Sequence, residues 1–477
     1  MRLDSDPRLH KNLALVLQIA SKHERKLYLV GGYIRDQLLK RQVKTGSHHD
    51  FDFAVLPGAA IELAKIVADE LQGHFVLLDE ANDTARVITE DGACFDFAAC
   101  VGGSIESDIK RRDFTVNAIA WDADYPEQLI DIVAAEDDLK AGKIRAISEQ
   151  SFIDDPLRLL RAYRFAALLD FEIESSTQGY IQKYCSSIST VAAERINSEF
   201  FLMLETSFSA KHVKAMGENG LLESIFPELR DCRRVTSNAY HHLGLFEHSL
   251  ETLAQAERVL PEMPDWAKDS LAQTLASGVS RAAATKLAGL IHDIGKPETW
   301  VINPEGKHTF IGHDKLGAEM IEPLAKRLKW AKPIERFIEK LVRWHLRPGH
   351  LFQQGPPTDK AKYRFYKTIG EELPELIVLA LADFRSTCGP GLQDGRREAE
   401  EKLFELLHNF TVYQVGTKKE SRFIDGSELM KLLGIKPGPQ VGEILDELLE
   451  AQSLGEVRNP EEAADLARKI YQEKYCR

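Results

Sequence analysis

The run Asp50-Phe51-Asp52-Phe53 constrains this chain more than any other short stretch in it. In a strand, residues two apart share a face, so the rings turn to one side and the carboxylates to the other. The rings need a core to cover them. Two carboxylates side by side repel unless a cation sits between them. Hard oxygen ligands favour Mg²⁺ or Mn²⁺, which arrive with phosphate oxygens. For an isolated Asp-x-Asp, a solvated strand face is the plain alternative.

The surroundings sharpen the first reading. Leu27 to Val30 is a short strand run ended by Gly31-Gly32, and the Tyr33-Ile34-Arg35-Asp36 stretch follows as a helix start. Glycines between a strand and a helix let backbone amides approach phosphate oxygens, and the helix N-terminus adds positive potential. A tight strand-to-helix turn reads the same glycines without a ligand. Asp96 stands in Cys94-Phe95-Asp96-Phe97-Ala98, an acid inside an apolar strand, where burial is costly unless the charge is paired or bound to metal. Lys110, Arg111, Arg112, Asp113 and Asn117 come next, and cations beside a metal–carboxylate centre suit a triphosphate. Thr115 to Trp121 is a further strand candidate.

From Asp154 onward the pattern turns helical. Leu157, Leu160, Phe165 and Leu168 alternate with Arg158, Arg161 and Arg164. Asp155 and Arg158 are spaced to share one helical face, as an ion pair or as a base-reading pair. Helix-rich sequence continues to the end, with breaks at Pro227, Pro261, Pro264, Pro348 and Gly355-Pro356-Pro357, and segment 390 to 400 reads as an exposed connection. At 477 residues the chain has room for roughly three domains. The net charge of −13 argues against a broadly basic nucleic-acid coat while leaving local grooves open. No apolar run approaches the roughly 20 residues of a bilayer span. The charged N-terminal stretch is unlike a signal peptide, so a cytoplasmic enzyme is expected. Six cysteines without a C-x-x-C suggest neither a zinc ribbon nor a disulfide scaffold.

Gly31-Gly32-Tyr33-Ile34-Arg35-Asp36, then Asp50-Phe51-Asp52, then Arg111-Arg112-Asp113-Phe114-Thr115-Val116-Asn117-Ala118 resemble, in order, the head motifs of the class II tRNA nucleotidyltransferase and bacterial poly(A) polymerase family. Asp154-Asp155-Pro156-Leu157-Arg158 through Phe165 resembles the neck motif, and Glu194-Arg195-Ile196-Asn197-Ser198-Glu199-Phe200 the one after it. The resemblance covers about residues 27 to 200. It implies template-independent addition of nucleotides to an RNA 3′ end. Asp50 and Asp52 would bind two Mg²⁺ ions, with Asp96 completing the site at the primer end. Gly31, Gly32 and Arg35 would hold the triphosphate. Arg111, Arg112, Asp113 and Asn117 would hold the phosphates and sugar. Asp155 and Arg158 would read the base, selecting C and A, with Arg161 and Arg164 continuing that side of the helix toward phosphate or neck structure.

Two departures stand out. Where the family has a Gly-Gly hinge, this chain has Ala134-Ala135, and alanine restricts the backbone more. The stretch from Asp96 to Lys110 is also short, a feature of relatives that add only CC.

A second cluster lies at 241 to 383: His248, then His292-Asp293, His313, His345 and Asp383, several of them within apolar helical sequence. Imidazoles and carboxylates converging from separate helices suit a divalent transition metal. The cluster resembles the HD phosphohydrolase superfamily. That resemblance implies His248, His292, Asp293 and Asp383 as core ligands and His313 and His345 as candidates for a second metal or phosphate contacts. Ni²⁺, Mn²⁺, Co²⁺ or Fe²⁺ would activate water against a phosphomonoester or cyclic phosphodiester. Phe423 to Gly442 also resembles the tail of HD-bearing members, and its Gly438-Pro439-Gln440-Val441-Gly442 segment is read as a turn that could hold an RNA phosphate or simply join two helices.

The expected fold is therefore multidomain α+β. A nucleotidyltransferase-type head with a mixed sheet and helices spans 1–147. All-helical regions follow: a neck at 148–225, an HD domain at 226–410 and a tail at 411–477 that touches RNA. The expected activity is addition of C and/or A from CTP and ATP to the tRNA 3′ end, as CCA or CC, with a phosphohydrolase activity as a possible second. The alternatives are a poly(A) polymerase and an HD phosphohydrolase whose head only binds RNA. The expected partners are tRNA, CTP and ATP, with no DNA and no membrane; the sequence sets no oligomeric state.

Overall fold

A computed structural model describes residues 7–40, 50–125, 128–236, 243–304, 308–353, 355–387, 396–419 and 422–476. They form two compact units, residues 1–227 and 228–477.

The first unit opens with α1 (Pro7–Lys22), β1 (Lys26–Val30), α2 (Gly32–Leu38), β2 (Asp50–Leu56) and α3 (Ala60–Leu71). A run of β3 (His74–Asp79), β4 (Thr84–Ile88) and β5 (Cys94–Ala99) follows, then α4 (Ile105–Lys110), β6 (Ala120–Asp122), β7 (Leu129–Ile130) and α5 (Ala135–Ala141). The seven strands make one mixed sheet in the order β3-β4-β5-β2-β1-β6-β7. β2 and β5 run parallel, and every other neighbouring pair is antiparallel. The alternation works as the strand period requires. Phe51, Phe53, Phe95 and Phe97 are buried, with Phe51 stacked on Phe95 and Phe53 on Phe97. On the opposite face Val30, Ala54 and Tyr28 pack with Ile105 and Ile109 of α4.

Several local expectations change. The stretch from Thr115 is a 3₁₀ turn through Asn117, and only Ala120 to Asp122 is strand. Five residues, 100 to 104, join β5 to α4. Ala134 lies at φ 58°, ψ 39°, capping α5, so alanine occupies a left-handed conformation that glycine adopts without strain.

Six helices, α6 (Gln150–Asp154), α7 (Arg158–Leu169), α8 (Ser175–Tyr184), α9 (Ala193–Leu204), α10 (Ser209–Glu218) and α11 (Leu221–Ile225), complete this unit together with a short parallel strand pair, Lys143–Ile144 with Glu172–Ile173, so the neck is not all-helical as expected. α7 buries Leu159, Leu160, Ala162, Tyr163 and Phe165 and packs on α9 and α10. Asp155 does not share a helical face with Arg158. It ends α6 in an extended conformation (φ −146°, ψ 98°), and Arg158 begins α7. Pro156 is the cause, because it pushes the preceding residue out of the helical region.

In the second unit the helices Leu245–Val259, Arg281–Ile291, His313–Arg327, Lys332–Trp344 and Leu373–Thr387 pack together. Two small hairpins, Thr274–Ala276 with Val279–Ser280 and Val301–Ile302 with His308–Thr309, interrupt the helical pattern. Of the connection read at 390 to 400, residues 390–395 lie outside the described residues, and Arg396 starts the helix Arg396–Lys419. Three tail helices, Gly426–Leu433, Pro439–Ser453 and Pro460–Tyr475, share a core of Leu429, Ile444 and Ala467. Pro439, Val441 and Gly442 fall inside the first turns of a helix, so the turn expected there ends at Gly438. Among the described residues no helix is long and apolar enough to cross a membrane.

Candidate active sites

The first site lies across β1, β2 and β5. Asp52 is the register partner of Val30 on one side and of Asp96 on the other. Adjacent strands lie about 4.8 Å apart, so the two acids stand next to each other on one face. Asp50 begins β2 opposite Cys94, and its side chain lies outside the described part of the structure. The turn after β1 is built for close approach. Gly31 has φ +79°, and a Cβ there would stand 2.8 Å from Asp52 Oδ2. Side chains rarely tolerate that conformation, and none could tolerate that contact with the carboxylate unmoved. The residues thus present neighbouring carboxylates beside an open backbone turn, a donor set that fits Mg²⁺ with phosphate oxygens.

Behind the turn, the expected phosphate- and sugar-binding residues form one connected set. Arg35 is buried and donates to Asn117 Oδ1 at 2.8 Å and to Asp36 at 2.8 Å. Asn117 donates to Asp113, 3.3 Å away. Arg161 reaches the same Asp113 from α7 with two bonds of 3.0 and 2.7 Å. Burial opposes the charge on Asp113, but Arg161, the Phe114 N–H and Asn117 outweigh it and hold its carboxyl below the usual carboxylate range. Glu199 from α9 accepts from Arg161 at 3.2 Å and from Arg164 at 2.5 Å. The guanidinium of Arg164 lies 3.9 Å from the centre of the Phe165 ring. Arg161 and Arg164 are therefore engaged inside this network. Arg112 is held by Asp108 at 2.9 Å, and Arg111 is exposed.

Asp155 and Arg158 are not paired with each other. Arg195 of α9 donates to Asp155 at 2.8 Å, and Arg158 reaches the Ser151 carbonyl at 3.3 Å. Each is fixed by a third residue.

The second site converges from five helices. His248 sits early in Leu245–Val259, His292 and Asp293 follow the end of Arg281–Ile291, His313 begins its helix, His345 ends Lys332–Trp344, and Asp383 lies in Leu373–Thr387. Asp293 is central. Its Oδ2 is 3.4 Å from His248 Nε2, 3.1 Å from His292 Nε2 and 2.5 Å from Lys296 Nζ. Its Oδ1 is 3.3 Å from His313 Nε2 and 3.7 Å from His345 Nε2. Asp383 Oδ1 closes the first group, 3.2 Å from His248 and 3.6 Å from His292. These acids and imidazoles, buried except for Asp383, form three overlapping ligand sets (His248, His292 and Asp293; His292, His345 and Asp383; Asp293, His313 and His345), and N/O donors of this kind fit divalent transition metals. Their second ring nitrogens are held too: His292, His313 and His345 face the carbonyls of Gly289, Phe310 and Val342 at 2.7 to 2.9 Å. Such contacts fix which nitrogen faces inward. Gly295 permits the packing, since a Cβ there would lie 2.4 Å from the His313 carbonyl.

The electrostatics follow the geometry. Burial disfavours a charged His292, but Asp293 and Asp383 outweigh it and hold its pKa up at about 10. Burial and neighbouring His292 instead push His345 down to about 4. Asp383 is the one ligand of the six with a partly exposed side chain, at 23%. It opens with His345 onto a cleft of about 420 Å³ lined also by His350, Phe352, Phe384 and Lys402.

A mixed-sheet head carrying paired acids, joined in one chain to a helical His/Asp centre, defines an enzyme of the nucleotidyltransferase class with an HD-type domain. Family profiles agree. The poly(A) polymerase head domain matches residues 27–145, a profile for the RNA-binding region of polymerase A 170–232, the HD domain 245–386, and tRNA nucleotidyltransferase domain 2 residues 392–465. The A-adding tRNA nucleotidyltransferase of Deinococcus radiodurans is 34% identical over 441 residues, covering 91% of this chain and 93% of that protein. The CC-adding tRNA nucleotidyltransferase of Synechocystis sp. is 29% identical over 93% of each chain. The fold matches the Thermotoga maritima CCA-adding enzyme complexed with tRNA(CCA), with a TM-score of 0.65 at 22% identity over 98% of this chain and 96% of that one. This chain belongs to the tRNA nucleotidyltransferase family.

Sequence reasoning passed over two residues that touch these sites. Arg86 binds Asp96, and Lys296 binds Asp293. The signal for Arg86 was the Asp91-Gly92 pair, a hairpin turn that sets position 86 opposite 96. For Lys296 it was the i,i+3 spacing from Asp293.

Proposed function

We propose that this chain adds C, A or both from CTP and ATP to the 3′ end of tRNA. The observation that carries the reading is the pairing of Asp52 with Asp96 on adjacent strands beside the Gly31 turn. Asp50, Asp52 and Asp96 hold the metals; Gly31, Gly32 and Arg35 form the triphosphate side; Arg111, Arg112, Asp113 and Asn117 serve the phosphates and sugar. When bound, paired Mg²⁺ ions would lower the pKa of the primer's 3′-hydroxyl and neutralise the triphosphate and leaving pyrophosphate. Asp155 and Arg158 read the base edge as acceptor and donor, and Arg195 holds the acceptor in place. Arg161 and Arg164 stiffen the neck through Asp113 and Glu199 rather than touching phosphate. The A-adding and CC-adding relatives above support C and A as the nucleotides. The test is to incubate the protein with tRNA ending before CCA, after C and after CC, and to sequence the tails. An unrelated RNA extended equally well would favour a poly(A) polymerase.

The helical centre supports a second activity. We propose that His248, His292, Asp293 and Asp383 hold one divalent transition metal, and Asp293, His313 and His345 a second. Asp293 carries the reading, because each of its oxygens faces its own set of imidazoles. A bound metal would activate water against a phosphoester. Metal analysis of the Asp52→Asn protein, equilibrated with Mn²⁺ or Ni²⁺, should find two ions at this centre, and one after His313→Ala. No bound transition metal would refute the reading.

A further inference from the structure

One lateral row of the head sheet crosses five strands. Val30, Asp52, Asp96, Arg86 and Val76 are successive register partners on β1, β2, β5, β4 and β3. Partners in register share a face, so the row sets a guanidinium beside Asp96 on the side away from Asp52. Arg86 donates from Nε to one oxygen of Asp96 at 2.7 Å and from Nη2 to the other at 2.8 Å. A two-pronged pair of this kind fixes the plane of the carboxylate as well as its position.

Holding the strands together does not explain the pair. β4 and β5 are already joined over Thr84–Ile88 and Cys94–Ala98, and Ala85, Val87, Phe95 and Phe97 pack the opposite face with no exposure. The Arg86 and Asp96 side chains are 36% and 20% exposed, a setting in which an ion pair adds little to the stability of a fold. Its place matters more than its strength. It lies one strand from Asp52, in a row where like charges repel. A carboxylate has about four lone-pair positions, so one that accepts two bonds from a guanidinium still has positions left for a metal.

We infer that Arg86 is a positioning residue for nucleotide addition: it orients Asp96 for the primer-side metal and moderates the negative charge that the acid row presents. The inference rests on the nucleotidyltransferase reading above. It separates two contributions. The positive charge sets how tightly the row holds a cation. The fork sets where Asp96 points, and so sets turnover.

The experiment measures Mn²⁺ binding by EPR and nucleotide addition on the full chain, for the parent, Arg86→Met and Arg86→Lys. Each is paired with its Asp52→Asn counterpart, so that the difference reports the head site alone. Arg86→Met should bind Mn²⁺ severalfold more tightly, because a neighbouring cation is gone, yet turn over about tenfold or more slowly with KM for CTP and ATP unchanged. Arg86→Lys should return Mn²⁺ affinity to the parent value but leave turnover low, since an ammonium is a point charge without the fork. A Met variant that binds Mn²⁺ no more tightly than the parent overturns the inference, as does a Lys variant with full turnover. Metal affinity that falls together with Tm also overturns it, being the signature of a merely structural pair. If Asp52→Asn alone changes neither Mn²⁺ binding nor addition, the nucleotidyltransferase reading fails instead.

Discussion

Gly31→Ala is the most informative single change in the head. The backbone there lies at φ +79°, and forcing an L side chain into the left-handed region costs about 1–2 kcal/mol of stability. The second effect is local. The new methyl would stand 2.8 Å from Asp52 Oδ2, whereas ordinary contact begins at 3.4 Å, so the carboxylate retreats by about 0.6 Å. Mg²⁺ demands near-ideal octahedral distances, and misplacing a reacting group by about 1 Å costs roughly 100-fold. A loss of roughly 10- to 100-fold in kcat is therefore expected, with Tm lowered by a few degrees. Gly32→Ala is the matched control. Its methyl meets only the flexible end of Arg35, at 3.4 Å, and Gly32 needs no positive φ. Its kcat should fall less than that of Gly31→Ala, any loss showing instead as a raised KM for the triphosphate that Gly32 is proposed to face. The assay is steady-state incorporation of labelled CTP or ATP into tRNA lacking its 3′ end, with thermal melts alongside. A folded Gly31→Ala protein turning over within threefold of the parent would refute the reasoning.

Three other changes probe the same unit. Ala134→Gly should stabilise the chain by about 0.5–1 kcal/mol, read as a higher urea midpoint, because Ala134 sits at φ 58°. Arg158→Ala should raise UTP and GTP incorporation relative to CTP and ATP by about tenfold, and unchanged selectivity would count against base reading. Stability should also fall on acidification because of His212, which packs buried against Tyr163 and whose pKa burial lowers from 6.5 to about 4. The unfolded chain takes up a proton below pH 6.5 and the folded chain only near 4, so stability is lost as pH falls through that window, by about 3 kcal/mol at most. His212→Gln should flatten the dependence, and an unchanged pH profile of urea unfolding would refute it.

Much of the head was legible because strand alternation is a strict code. Phe51, Phe53 and the acid at 52 fall on the faces that a period of two dictates, and Phe95, Asp96 and Phe97 repeat the pattern on the strand alongside. The histidines were legible for a different reason, since buried polar side chains in apolar helices need partners. Long-range pairing was not legible. Nothing near Arg161 in the chain points to Asp113, 48 residues away, or to Glu199, so the sequence left open whether that guanidinium meets phosphate or braces the neck. The Asp155–Arg158 spacing misled for a local reason that the sequence does contain: Pro156 breaks the helix between them. Strands β3 and β4 lie between the motifs: β3 is largely exposed and carries no apolar alternation, and β4, which does alternate through Ala85 and Val87, is only five residues long.

Nucleotide addition is proposed to depend on the acid row in the head sheet. Its most direct test is Asp52→Asn, assayed for nucleotide addition to tRNA and, in the same preparation, for transition-metal content at the helical centre. Addition should disappear while the His/Asp centre keeps its metal, since the change removes a carboxylate from β2 alone. Addition persisting near the parent rate in a folded Asp52→Asn protein would contradict the account.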